Sequence, residues 1–212
     1  MRAPPFQFDS TGQQAVAARL GMWVFLGTEL MFFGPLFVGY YFVRSTDPAS
    51  LALAARHTEL LLGTLNTFVL MTSSLAMAMA VSAARDGRQR AAVRCLWATA
   101  ALGLAFLVIK AWEYAKDIAA GFVPANASGA GGPTGQMFRL LYYAMTGLHA
   151  IHLCIGIGLV VTFALAMQQR RPLAADPAHS GRVEIVGLYW HFVDMVWLFL
   201  FPLLYLPGRS GP

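Results

Sequence analysis

Residues 188–206 read LYWHFVDMVWLFLFPLLYL, an apolar run that carries His191 and Asp194 three residues apart near its start. A helix of this length covers about 30 Å, the thickness of the hydrocarbon core of a bilayer. The stretch therefore predicts a membrane-crossing helix. Two ionisable groups inside such a helix are costly unless they are paired or hydrated, so they mark either a functional site or a contact with a neighbouring helix.

Working outward from this segment, four further runs of similar character lie near 20–43, 60–84, 95–116 and 138–167, and the last span is placed at 186–206. Apolar residues make up 58% of the 212-residue chain and charged residues only 12%. That charged share is about half of what soluble domains carry. The expected fold is an all-α integral membrane protein, a five-helix transmembrane bundle. The longest connection, 117–137, is rich in Gly, Ala and Pro and too short for a second domain, so one membrane domain over 20–207 is expected. Residues 1–19 show no apolar core of signal-peptide type, and the first span is expected to be retained.

Arginine and lysine are distributed unevenly between the two sides. One side collects Arg2, Arg19, Arg85, Arg88, Arg90, Arg94, Arg170, Arg171 and Arg182, while the other holds Arg44, Arg56, Lys116, Arg139 and Arg209. The richer side is predicted to be cytoplasmic, which puts the N-terminus in the cytoplasm and the C-terminus in the periplasm. The net charge of +5 then follows from topology and attraction to anionic lipid heads, without nucleic acid. Aromatic residues at the predicted ends, among them Tyr40, Tyr41, Trp112, Tyr142, Tyr205, Trp23 and Trp97, read as interfacial belts. Cys95 and Cys154 lie in different spans with no CxxC spacing and are expected to be buried, inert thiols.

Polar residues inside the spans are the candidate site. Glu29 lies about ten residues into the first span, some 15 Å from its end, with no opposite charge within a helical turn. It is either a protonated acid or the partner of a group on another helix or lipid; a role in proton handling at a protein interface is the functional alternative. His149 and His152 stand at i and i+3 and share a helix face, as do His191 and Asp194. HAIH lacks a third metal ligand on its own helix, and two axial haem ligands must approach from opposite faces. Interhelical hydrogen bonding is the expected role, with His191 and Asp194 satisfying each other or a neighbouring helix. Lys110 and Glu113 fall near the end of a span and predict a surface ion pair that snorkels to the membrane boundary. Small residues in LGLA (102–105) and GIGLV (156–160) allow close helix approach. No nucleophile with its base, phosphate loop or redox dithiol is visible, so no catalytic residue and no metal ligand is assigned.

Five ordered stretches carry a family resemblance. YWHFVDMVWLFLF (189–201), preceded by Glu184, resembles the last-helix signature of subunit III of haem–copper terminal oxidases. GMWVFLGTELMFFGPLF (21–37), LLGTLNTFVLMTSS (61–74), KAWEYAKDI (110–118) and TGLHAIHLCIGIG (146–158) resemble its other helices in order. The chain is similar to the short five-helix bacterial forms, found in cytochrome c oxidases and in quinol oxidases; an accessory protein of nitric oxide reductase is also related. Glu rather than Asp at position 29 leans toward the cytochrome c members.

The resemblance implies a non-catalytic subunit in the bacterial inner membrane that holds no haem or copper itself. Those cofactors belong to the catalytic subunit I beside it and to other oxidase subunits. It further implies bound phospholipid, support of proton uptake and protection of the catalytic subunit during turnover. Carried over by position, Glu29 is the family's buried carboxylate near proton entry, and His149, His152, Glu184, His191 and Asp194 belong to the polar set that shapes the bundle. On charge grounds Arg170, Arg171 and Arg182 are candidate ligands for lipid heads. A stand-alone proton channel or transporter, the competing class, would call for an inverted repeat, and five helices do not divide into equal halves.

Overall fold

Helices follow one another along the chain in the order α1 (Thr11–Thr46), α2 (Pro48–Ala55), α3 (Leu60–Arg85), α4 (Gln89–Ala119), α5 (Gly132–Gln168) and α6 (Pro177–Tyr205). The computed structural model describes residues 11–56, 58–123, 132–169 and 177–207. Five of these helices are long and apolar enough to cross a membrane, and only the eight-residue α2 is not. Helix is the expected element because inside lipid every backbone N–H and C=O must be satisfied within its own segment. Each of the five long helices lies over one of the expected spans, with different ends. α1 begins at Thr11, inside the stretch read as an N-terminal segment, and α4 runs from Gln89 to Ala119.

Glycine ends two of the helices. Gly87 (φ 72°) closes α3, with Arg88 N–H returning to the Ala83 carbonyl at 2.8 Å, and makes the tight hairpin into α4. Gly121 (φ 75°) does the same after α4, where Phe122 N–H returns to Asp117 O at 2.8 Å. α2 starts on an Asp-Pro signal: Asp47 accepts from Ser50 N–H at 3.1 Å and Pro48 occupies the first turn. The bonds from Ser50 also hold the Asp47 carboxyl below its ordinary range, keeping the cap ionised.

α3, α4, α5 and α6 form a closed ring in which each helix packs on the next and α6 returns to α3. α1 lies outside the ring against α5 and α6, and α2 crosses from α1 onto α5. The difference shows in burial: 11% of the most apolar stretch of α1 is buried against 50% of that of α6. Small residues explain how the ring closes so tightly. Trp190 sits between Gly103 of α4 and Gly156 of α5, where an added Cβ would fall 2.7 Å and 3.2 Å from its ring. Gly63 of α3 makes the same room for Tyr205, at 2.8 Å. On α1, by contrast, Gly21, Gly27 and Gly34 face open space.

Candidate functional site

Glu29 projects from α1 onto α5. Its Oε2 lies 2.9 Å from His152 Nε2, and both side chains are nearly buried (17% and 12% exposed). His152 Nδ1 is 2.9 Å from the Leu148 carbonyl, which can only accept, so Nδ1 carries a hydrogen. The contact between Nε2 and Oε2 then needs one further hydrogen. The pair therefore shares a single proton, held either as imidazolium and carboxylate or as neutral ring and carboxylic acid. Phe33 packs on the imidazole at 5.3 Å, and Tyr189 from α6 donates to the His152 carbonyl at 3.1 Å. Three helices thus fix this one proton-bearing contact.

A second polar centre fills the Tyr205 end of the ring. Lys110 and Glu113 on α4 form an ion pair at 3.1 Å with exposures of 3% and 0%. The surface pair expected from the sequence is instead one of the most deeply buried features of the molecule. Two tyrosines make this possible. Lys110 Nζ donates to Tyr142 Oη at 2.9 Å and to Tyr205 Oη at 2.5 Å. Both hydroxyls in turn donate to Glu113 Oε1, at 2.8 and 2.7 Å. Glu113 Oε2 meets the ammonium as an ion contact without a directed hydrogen bond. Asp117, also buried, lies 3.2 Å from Tyr142 Oη. Tyr142 and Tyr205, read as interfacial belt residues, are fully buried ligands of this cluster, as Tyr40 is a core residue. Tyr41 and Trp112 remain exposed, as belt residues should. Arg139, assigned from the sequence to the membrane surface, is 1% exposed and donates through Nε to the Val123 carbonyl at 3.2 Å.

The remaining candidates separate. His191 Nδ1 meets Ser74 Oγ of α3 at 2.8 Å, not Asp194. Asp194 is 4% exposed, and neither carboxyl oxygen has a hydrogen-bond partner among the described residues, although Ser74 is a neighbour. Of the two expected arrangements, mutual pairing or a neighbouring helix, His191 shows the second, meeting the Ser74 hydroxyl of α3. His149, on the face shared with His152, points into the ring between Phe106 and Trp197 (centroids 5.6 and 5.2 Å) and makes no hydrogen bond among the described residues. Glu184 of α6 forms ion pairs with two exposed guanidiniums, Arg85 of α3 at 3.1 Å and Arg19 of α1 at 3.4 Å. Arg182 is exposed near the start of α6, whereas Arg170 and Arg171 lie outside the described residues. Cys95 is half-buried and Cys154 exposed on the outer face of α5, which corrects the expectation of two buried thiols. Among the described residues no three His, Cys, Asp or Glu side chains gather as a metal site would require.

Spans, order and site residues meet in one finding: the family model described as cytochrome c oxidase subunit III matches residues 5–209. The chain belongs to this family. Among its relatives, the cytochrome c oxidase subunit 3 of Alkalihalophilus pseudofirmus is 31% identical over 198 residues, covering 91% of this chain and 87% of that protein. The cytochrome c oxidase subunit 3 of Thermostichus vulcanus is 32% identical over 190 residues, with coverage of 90% and 87%. A probable quinol oxidase subunit 3 of Staphylococcus haemolyticus is 26% identical over 200 residues, with 94% of both chains covered. As a subunit III the chain is one component of a membrane oxidase assembly. The paired Glu29 and His152 belong to this subunit III as much as its apolar spans do.

Proposed function

We propose that this subunit III conditions the catalytic subunit I of a bacterial haem–copper oxidase in the inner membrane, with haem and copper held by its partners. Its part is to keep proton uptake in step with turnover and to hold phospholipid at the assembly, with Arg182, Arg170 and Arg171 as the proposed ligands of lipid heads on charge grounds. Cytochrome c is the proposed electron donor of the assembly. Relatives bearing that name reach 31–32% identity, against 26–27% for the quinol oxidase subunits.

The observation that carries the proton role is the single proton shared by Glu29 and His152 on the least embedded helix of the fold. A pair that holds a proton near the edge of the bundle is suited to buffer one for a neighbouring subunit. The test follows oxygen consumption to exhaustion in the intact oxidase, in Glu29→Gln, in Glu29→Ala and in enzyme stripped of this subunit. Glutamine can still donate to His152 and keep α1 tethered, but it carries no exchangeable acid proton. Shortened catalytic lifetime in both variants, with the haem spectrum intact, supports the proton role. Wild-type lifetime in Glu29→Gln leaves only a tether.

A further inference from the structure

One core layer of the four-helix ring carries two buried polar side chains, neither of which has a hydrogen-bond partner among the described residues. Its level is set by Ser73 Oγ of α3, which donates to the Thr99 carbonyl of α4 at 3.3 Å. α3 and α4 form a hairpin, so equal steps from this contact stay level. Asn66 precedes Ser73 by seven residues and Phe106 follows Thr99 by seven, each about 10 Å further toward the Tyr205 end. Phe106 touches His149 of α5 and Trp197 of α6 (5.6 and 4.7 Å between centroids). Trp197 in turn donates its indole N–H to Thr67, the neighbour of Asn66, at 3.1 Å. Each helix of the ring thus contributes one residue to the layer: Asn66, Phe106, His149 and Trp197.

Asn66 is 0% and His149 1% exposed. Neither amide atom of Asn66 and neither ring nitrogen of His149 has a hydrogen-bond partner among the described residues. Each side chain both donates and accepts, and buried groups of this kind are satisfied by protein or by ordered water. The two stand on α3 and α5, which are not neighbours in the ring. We infer that this layer binds internal water, held between the Asn66 amide and the His149 ring and linking the two diagonal helices. Water fits the chemistry because it offers donors and acceptors at once. A cation does not, because the Lys110 ammonium lies one helical turn from Phe106 on the same face of α4. The inference stands apart from the proton role proposed for Glu29.

The experiment is X-ray hydroxyl-radical footprinting of the intact oxidase in water enriched in ¹⁸O. Radicals formed from a bound water label the side chains beside it even when these are shielded from bulk solvent. Phe106, His149 and Trp197 should gain ¹⁸O label while Phe33 and Phe138, equally buried at 1% and 0%, should not. Asn66→Leu should abolish the label in the layer. Should that variant fail to assemble, the comparison within the wild type decides alone. Labelling of Phe106 no stronger than that of Phe138 overturns the site, as does label that persists in assembled Asn66→Leu. Density in the intact assembly that seats the Asn66 amide directly on the His149 ring overturns it too.

Discussion

Two acid–base pairs lie inside the spans, and they solve the same problem differently. Lys110 and Glu113 sit on one helix at 3% and 0% exposure, inside the ring, with two tyrosine hydroxyls bridging ammonium and carboxylate. Glu29 and His152 join two helices at 17% and 12% exposure, outside the ring, with one contact between them and one proton to share. A deeply buried charge persists only if nearly all of its hydrogen-bonding capacity is met. The Lys110 cluster meets most of that demand through the two tyrosines, with the ion contact to the ammonium left to Glu113 Oε2, and reads as scaffold. The Glu29 pair, at the edge of the fold, rests on a single contact between two helices, and this is why the proton role is proposed there and not at Lys110. Depth and saturation, not the presence of charge, separate structure from candidate function here.

The contrast breaks most readily at Lys110. Lys110→Met keeps the length of the side chain but strands Glu113 and Asp117 without their cation. Removing one partner of a buried ion pair costs about 3–5 kcal/mol. The expected outcome is loss of the subunit from the assembled oxidase, or a sharply lower aggregation temperature in detergent. Adding Glu113→Gln to Lys110→Met should recover part of the loss, because the stranded charge is removed as well. A mild single variant would mean that water reaches the cluster, and the scaffold reading of this end would fail.

Packing should follow the same division between ring and outlying helix. At Gly103 a new Cβ falls 2.7 Å from Cη2 of Trp190, a buried ring also held by Gly156, so Gly103→Ala forces the indole to move. Overpacking of this kind costs about 1–3 kcal/mol. At Gly34 of α1 nothing lies within 4 Å, and Gly34→Ala should leave the thermal stability of the isolated subunit unchanged. Should Gly34→Ala instead weaken retention of the subunit in the oxidase while sparing its own stability, the open face of α1 is a contact with another subunit. Melting curves of the free subunit and co-purification yields separate the two effects.

Much of this architecture is legible in the sequence, because length and hydropathy alone decide which segments can cross a bilayer. The same-face spacing of His149 with His152 follows from helical geometry, yet it does not say which partner each one meets. His152 turns to α1 and His149 to the core, and that depends on where α1 docks, which α1's own sequence, with weak small-residue patterning, does not disclose. Lys110 reads as a surface residue from its position along the span, whereas its helix face decides its burial. That face is visible in the sequence: Thr99, Gly103, Phe106, Lys110, Glu113 and Asp117 recur at three- and four-residue steps on one stripe of α4. Gly103 of that stripe packs on Trp190, and Lys110, two turns on along the same stripe, points inward with it. Tyr142 and Tyr205, which satisfy it, are 32 and 95 residues away, and only the closed ring brings them to it.

The smallest effect belongs to an ionic contact at the opposite end of the bundle from Lys110, that of Glu184. One oxygen of Glu184 pairs with two guanidiniums, Arg85 at 3.1 Å and Arg19 at 3.4 Å, and thereby clasps α1 to α3 through α6. Its own side chain is 24% exposed and the arginines are 58% and 56% exposed. Exposed pairs of this kind contribute about 0.2–1 kcal/mol and are screened by salt. Glu184→Gln should therefore leave the melting temperature of the subunit nearly unchanged while loosening the first turns of α1. Faster hydrogen exchange around Arg19 than in wild type, at low ionic strength only, is the expected signature. In high salt the two proteins should exchange alike, because the wild-type clasp is then already weakened. A destabilisation rivalling that of Lys110→Met, or one indifferent to salt, would show that this carboxylate is shielded from water as the Glu113 carboxylate is, and that side-chain exposure is the wrong measure for ranking the ionic contacts of this fold.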